Sequence, residues 1–233
     1  MYVIQEGLKL PGGFLWVKSQ IFHERFHELY FRFTRGGKRF VFNGKRLPYL
    51  NRRYNLSWEN ERAVEVPIVL SLITKERRRR VLEVGNVLPH YVKFPHDVVD
   101  KYEIGVAVIN SDIVNYSPIS RYDLAVSIST FEHIGYDEPE PRNANKILEV
   151  IENLRRNCLN AGGTIIFTVP VGYNFEFDRY IAEGVLKITE LFYMKRVSKD
   201  NQWIQVPESE ASDSTYGKRF PFANAVAIGV IET

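Results

Sequence analysis

The chain is predicted to fold as an α/β protein with a mostly parallel sheet covered by helices on both faces. Two observations carry this. Short apolar runs bounded by turn residues recur between residues 80 and 172, and a stripe of 3.6-residue period lies between two of them. Several of the runs are apolar throughout, as strands are when both faces of their sheet are covered.

Taken in order, residues 1–60 are rich in aromatics and β-formers and are expected to form a small β-rich N-terminal extension ahead of an α/β domain over residues 61–233. Residues 29–34 and 38–42 read as strands joined across Gly36 and Gly37, with Asn43-Gly44 suited to a further tight turn. Ser57 is placed to cap a helix through Glu65 that Pro67 should kink or end. Residues 81–84 form a strand closing at Gly85, followed by strands at 96–100, 105–110 and 124–128. A helix fits residues 143–159, where Ile147, Leu148, Ile151, Leu154, Arg155 and Cys158 share one stripe. Gly162-Gly163 should end it before a buried strand at 164–169, and two more strands fit 191–197 and 223–231.

Composition excludes several classes. At 45% hydrophobic and 25% charged residues, the 233-residue chain is globular rather than disordered. Its net charge of +3 is too small to imply a polyanionic partner. A single cysteine, Cys158, rules out an internal disulfide framework and any multi-cysteine zinc site. The longest apolar runs, such as residues 66–73, fall well short of the roughly 18 residues a membrane helix needs. The first residues lack a basic stretch leading into an apolar one, so the expected location is cytoplasmic.

In an open parallel sheet, ligands sit beyond the carboxyl ends of the strands where strand order reverses. Acidic residues cluster at such positions: Glu83 near the end of the first strand, Asp100 ending the second, Asp112 after the third. A dinucleotide site wants three glycines facing a pyrophosphate, whereas the run from Glu83 to Pro89 holds one glycine, Gly85, and a carboxylate that repels phosphate. S-adenosylmethionine carries an ammonium and a sulfonium and no phosphate, so an acidic mouth favours it.

Four segments then resemble the class I S-adenosylmethionine-dependent methyltransferases: Val81-Leu-Glu-Val-Gly85, Val98-Val-Asp100, residues 122–134 (YDLAVSISTFEHI) and residues 159–167 (LNAGGTIIF). They come in the family's order and cover roughly residues 80–172. The resemblance implies a Rossmann-like, seven-stranded sheet whose last two strands form an antiparallel hairpin. It implies that Glu83, Gly85 and Asn86 line the methionine end, Asp100 holds the ribose, and Asp112 with Ile113 flanks the adenine. Ser127 to Ser129 would lie where methyl donor and acceptor meet. His133 is the candidate general base, since imidazole titrates near neutrality; capping of the following loop by Glu132 and His133 is the competing reading. Tyr173 and Asn174 are candidate acceptor contacts, with ordinary loop packing the preferred reading. The implied acceptor is an oxygen or nitrogen nucleophile on a small molecule or glycan intermediate.

Two other readings are open. Val87 stands where the family has a second glycine, and only residues 86–95 separate Gly85 from His96, which motivates a non-catalytic, methyltransferase-like scaffold. His23, Glu24 and His27 match the H-E-x-x-H pattern of zinc hydrolases, although strand rather than helix is expected directly after them. The basic run Lys75 and 77–80 precedes the first strand, at the sheet's amino edge, and reads as a solvated edge rather than a nucleic-acid patch.

Overall fold

The computed structural model describes residues 36–73 and 80–233, together with Leu29, Tyr30 and Phe33. Leu29, Tyr30 and Phe33 are helical, so the strand expected at 29–34 is not formed at these positions. The N-terminal hairpin pairs β1 (Arg39–Phe42) with β2 (Lys45–Pro48) across Asn43-Gly44, not across Gly36-Gly37. Asn43 and Gly44 both have positive φ, as the tight turn between twisted strands demands. Alternation sends Phe40 and Phe42 inward against Met194, Trp203, Val226 and Ile228.

Helix α1 (Arg62–Ile73) contains Pro67 and runs through it. Proline removes the N–H that should reach the Ala63 carbonyl one turn back. Here Leu50 N donates to that carbonyl at 2.9 Å, so the helix continues without an orphaned acceptor. Ser57 does not cap it; the Ser57 hydroxyl accepts from Arg52 N in the preceding loop, and Asn60 Oδ1 accepts from Arg62 N.

The main sheet follows with β3 (Val81–Val84), β4 (Asp97–Asp100), β5 (Val108–Asn110), β6 (Tyr122–Ile128), β7 (Leu159–Pro170), β8 (Glu190–Arg196), β9 (Trp203–Val206) and β10 (Ala225–Glu232). Their order is β5-β4-β3-β6-β7-β10-β8-β9. The first five are parallel, and β10 lies antiparallel between β7 and β8. The antiparallel pair at the far end is the one expected, and β9 adds an eighth strand to the seven anticipated.

Helix α2 (Lys146–Asn153) passes through a wider turn at Leu154–Cys158 directly into β7. Gly162 and Gly163 therefore lie inside the strand segment. They occupy an irregularity in the β6–β7 register, tied to the chain end by Gly162 N to Thr233 O and Thr233 N to Gly163 O. Helix α3 (Phe175–Ala182) and α4 (Glu208–Ala211) complete the chain.

Strand alternation divides the core. Leu82, Val84, Ala125, Ile165 and Phe167 pack with α2 and α3, whereas Val81, Leu124, Val126 and Ile128 pack with Val66, Val69 and Ile73 of α1. Both faces are thus covered by helices. No α-helix lies between β3 and β4, between β4 and β5, or between β5 and β6, and Ile104, Val106 and Ile119 are left exposed there. No described helix is long and apolar enough to cross a membrane.

Phe167 anchors the site's underside. Its ring is fully buried and lies 5.9 Å from Phe131, after β6, and 5.7 Å from Phe177 of α3. Gly229, its partner on β10, makes room: a Cβ there would sit 2.2 Å from the Phe167 ring. Gly229→Ala should cost about 1–3 kcal/mol by overpacking, read as a lower urea midpoint. Adding Phe167→Leu should recover part of the loss; a Gly229→Ala midpoint equal to wild type would show that the ring is not so confined.

Candidate active site

The chain runs outward from β3 through β4 to β5, then returns to β6 on the other side of β3. The strand order therefore reverses between β3 and β6, and a cleft of about 300 Å³ opens beyond their carboxyl ends. Gly85 and Asn86 wall it after β3, Asp100 and Lys101 after β4, Asp112 and Ile113 after β5, Thr130 and His133 after β6. Glu103 and Glu138 also line it, so four carboxylates face one lysine.

Glu83 shapes this cleft from outside it. Alternation turns its side chain to the α1 face, where it is fully buried. Oε1 accepts from Val87 N at 3.1 Å and Leu88 N at 2.8 Å, closing the single 3₁₀ turn Leu88–His90 that serves as the first crossover. Oε2 meets His96 Nε2 at 2.7 Å, while His96 Nδ1 lies 2.6 Å from the Phe94 carbonyl. A carbonyl can only accept, so Nδ1 donates to it, and a carboxylate at Nε2 makes the ring an imidazolium. Burial works against that charge, but the hydrogen bond and charge of Glu83 outweigh it and raise the His96 pKa.

Gly85 has φ of +88°, and a Cβ on it would lie 2.3 Å from Thr130 Oγ1. The close approach it permits is that of the β6 loop, which brings Thr130 onto the cleft wall. Asn86 donates to Glu103 Oε1 at 2.8 Å, and its buried Oδ1 has no partner among the described residues. Asp100 Oδ1 accepts from Tyr102 N and Glu103 N at 2.8 and 2.7 Å, fixing the turn after β4.

Lys101 spans the cleft mouth. Its ammonium lies 3.3 Å from Asp112, 3.1 Å from Glu138 and 2.9 Å from Glu140. Lys146 of α2 reaches the same Asp112 at 3.2 Å and Glu138 at 2.6 Å. Burial opposes ionisation of Glu138, but the bonds from Lys146, Gly135 N and Lys101 hold its pKa down to about 2. Asp112 is likewise held below the ordinary range, partial burial being outweighed by Val114 N and the two lysines.

At the other lip, His133 Nδ1 lies 2.9 Å from Asp137 Oδ2, which also accepts from the Tyr173 hydroxyl at 2.5 Å. Burial of Asp137 is outweighed by these two donors, so its carboxyl stays below the ordinary range. A carboxylate only accepts, so Nδ1 carries the proton of this hydrogen bond, and Nε2 lies 3.8 Å from Glu132 Oε1. Glu132, beside it, is buried and held well above the usual carboxylate range, chiefly by burial.

Of the residues singled out from sequence, Gly85, Asn86, Asp100, Asp112, Ile113 and His133 line the cleft. Glu83, Ser127 and Ser129 do not. Ser127 is fully buried on β6 on the face of α2 and α3. Ser129 turns away with φ of +38° and donates to Glu65 Oε1 at 2.7 Å. Asn174 caps α3, accepting from Glu176 N and Phe177 N and donating to the Glu132 carbonyl. Lys101, Thr130, Asp137 and Glu138 went unread. Asp137, four residues after His133, carried the one local signal. His23, Glu24 and His27 lie outside the described residues.

The Glu83–His96 pair gives a pH dependence. A pKa raised above the unfolded value of about 6.5 contributes stability that is complete below that value and is lost as pH rises through the folded one. His96→Leu leaves a buried carboxylate without its counter-charge and should cost about 3 kcal/mol at pH near 5.5. The gap from wild type should narrow as pH rises above about 6.5. Urea midpoints across pH measure it; a gap that does not change with pH would refute the imidazolium assignment.

No protein-family model matches the chain, and no curated protein matches it. Solved structures similar to it include the N-methyltransferase NodS from Bradyrhizobium japonicum WM9 in complex with S-adenosyl-L-homocysteine. It matches at 11% identity over 74% of this chain and 87% of that one, with a TM-score of 0.44. TehB from Haemophilus influenzae matches at 13% identity over 73% of this chain and 63% of that one, TM-score 0.41. An S-adenosylmethionine-dependent methyltransferase from Clostridium acetobutylicum ATCC 824 matches at 12% identity over 89% of this chain and 98% of that one, TM-score 0.35.

Proposed function

We propose that the protein is an S-adenosylmethionine-dependent methyltransferase acting on an oxygen or nitrogen nucleophile of a small molecule or glycan intermediate. The observation that carries this is the switch-point cleft, where four carboxylates face one lysine beside a histidine–aspartate pair. Such a cleft attracts a cationic ligand and repels a diphosphate.

The residues present fit the cofactor. Asn86 Oδ1 is a buried acceptor awaiting a donor, which an ammonium or hydroxyl satisfies. Asp100, whose Oδ1 is committed to the turn, has Oδ2 for a ribose hydroxyl. Ile113 and Val99 offer apolar wall for a flat base, and Glu103 adds negative potential. When bound, S-adenosylmethionine supplies an electrophilic methyl on a sulfonium.

The chain's own residues then align and deprotonate. The cleft walls hold the donor and exclude water, and positioning of this kind is worth up to about 7–11 kcal/mol. His133 Nε2 accepts the acceptor's proton, and Asp137 stabilises the imidazolium that results. Tyr173 holds Asp137 in place through its hydroxyl.

Calorimetric titration tests the cofactor: wild type should bind S-adenosylmethionine, and Asp100→Ala should bind it at least about tenfold more weakly, the worth of about 1.4 kcal/mol. No binding by wild type removes the enzyme assignment and favours the scaffold reading. His133→Gln should leave that affinity unchanged and lower methyl transfer by about 10²–10⁴. Transfer of a tritiated methyl to a panel of sugars and amines measures it; an undiminished rate would take His133 out of the mechanism.

A further inference from the structure

A second hollow, of about 490 Å³, lies on the same rim at the far end of the sheet. Strand β8 is parallel to β7, since both pair antiparallel with β10, so Arg196 at its end belongs to the carboxyl rim. The segment before β10 returns to that rim and brings Arg219, Phe220 and Phe222 to the wall. Lys38 and Lys199 complete it, so with Arg196 and Arg219 four bases face two acids, Glu59 and Asp200. The sign is opposite to that of the switch-point cleft.

Three of the bases, Lys38, Lys199 and Arg219, have no carboxylate partner among the described residues. Arg196 is different: it is buried and donates to the carbonyls of Glu59, Pro221, Ser198 and Lys199, holding the two loops together. Arg219 and Phe222 have φ of +77° and +65°, left-handed values that non-glycine residues seldom adopt. The Asn224 side chain holds the loop in this form, accepting from Phe220 N and donating to the carbonyls of Phe220 and Phe222. Strain kept in place by surrounding bonds collects at ligand clamps. Phe222 is left 37% exposed, a ring face against which a ligand ring can pack.

The two sites are joined by a row of rings. His133 lies 5.0 Å from Tyr173, and Tyr173 lies 5.0 Å from Tyr216. Tyr216 begins the loop that carries Arg219 and Phe222, closed by Gly217 N to Phe222 O at 2.8 Å.

We infer that this hollow binds a phosphomonoester on a ring-bearing acceptor, the anion among Lys38, Lys199 and Arg219 and the ring against Phe222. Several bases with no carboxylate partner among the described residues call, in one hollow, for more than a single negative charge, which a phosphomonoester provides in one group. The acceptor then extends along the rings to present its nucleophile at His133. The word acceptor rests on the methyl-transfer reading; binding to the hollow does not.

Phenyl phosphate, titrated without cofactor, is the probe. Wild type should bind it, and Lys199→Gln with Arg219→Gln should weaken binding by at least about tenfold. Both positions are exposed, so far-UV circular dichroism should be unchanged. No binding by wild type, or equal binding by the double variant, overturns the inference. Asp100→Ala should bind phenyl phosphate as wild type does, so loss of S-adenosylmethionine binding alone counts against the methyl-transfer reading only. In methyl transfer, phosphorylated acceptors should show a KM raised about tenfold in the double variant with kcat nearly unchanged; indifference to the phosphate would overturn the acceptor assignment.

Discussion

One buried carboxylate sets the geometry on which the cleft depends. Glu83 points away from the ligand space, yet its two oxygens fix both ends of the crossover from β3 to β4. Oε1 gathers the first N–H groups of the turn after β3, and Oε2 holds His96 where the chain enters β4. With so few residues between the strands there is no helix whose dipole or packing can place the loop. A charge-assisted bond in a dry interior substitutes for it, because such bonds are directional and costly to leave unmade. Gly85, Asn86 and Val87 then face the cleft because the residues on either side of them are held. The acid that the sequence offers as a ligand contact acts through the backbone it fixes.

A second ionic cluster does the same for the opposite lip. Arg62 lies 2.5 Å from Glu65 on α1, and Glu65 accepts from Ser129 at the end of β6. Glu61 accepts from Ala223 N, before β10. One helix end thus ties the loops that carry Thr130 and His133 to the loop that carries Phe220 and Phe222. Three buried glutamates about one arginine cannot all be charged at low cost. The structure resolves this unevenly: Glu65 takes the arginine, and burial pushes Glu61 and Glu132 up toward neutrality.

Much of the sheet was legible because buried parallel strands read as short, mostly apolar runs, and residues 81–84, 124–128 and 164–169 do so with only Glu83, Ser127, Thr164 and Thr168 as polar members. What was not legible depended on partners distant in sequence. Pro67 should break a helix on local grounds, and only Leu50 N, supplied by the loop after the N-terminal hairpin, explains why it does not. The glycine pair 162–163 reads as a helix stop, but the chain end hydrogen-bonds there and turns it into a strand irregularity. Strand-end position places Gly85, Asp100 and Asp112 on the cleft wall because the topology alone puts those positions there. Orientation was the weaker inference. Period-two alternation sends Glu83 to one face and Ser127 to the other, and Ser129 is swung off the wall by its bond to Glu65. Thr130, one residue on, takes the wall instead.

The missing crossover helices also explain why the site is built from charge. In a sheet with long connections, the helices beyond β4 and β5 would wall the ligand space with apolar side chains. Here those connections are short loops, and the space is closed by Lys101 and Lys146 reaching across to Asp112 and Glu138. Ion pairs at this degree of exposure contribute little to stability individually, but a network of four groups restrains each member's position. Because both lysines are engaged with Asp112 and Glu138, a ligand that brings positive charge is attracted by Asp100 and Glu103 without requiring the network to open. A ligand that adds negative charge meets Asp100 and Glu103 and finds both lysines already engaged. Discrimination between the two therefore follows from how the lysines are committed, independently of any glycine-rich loop.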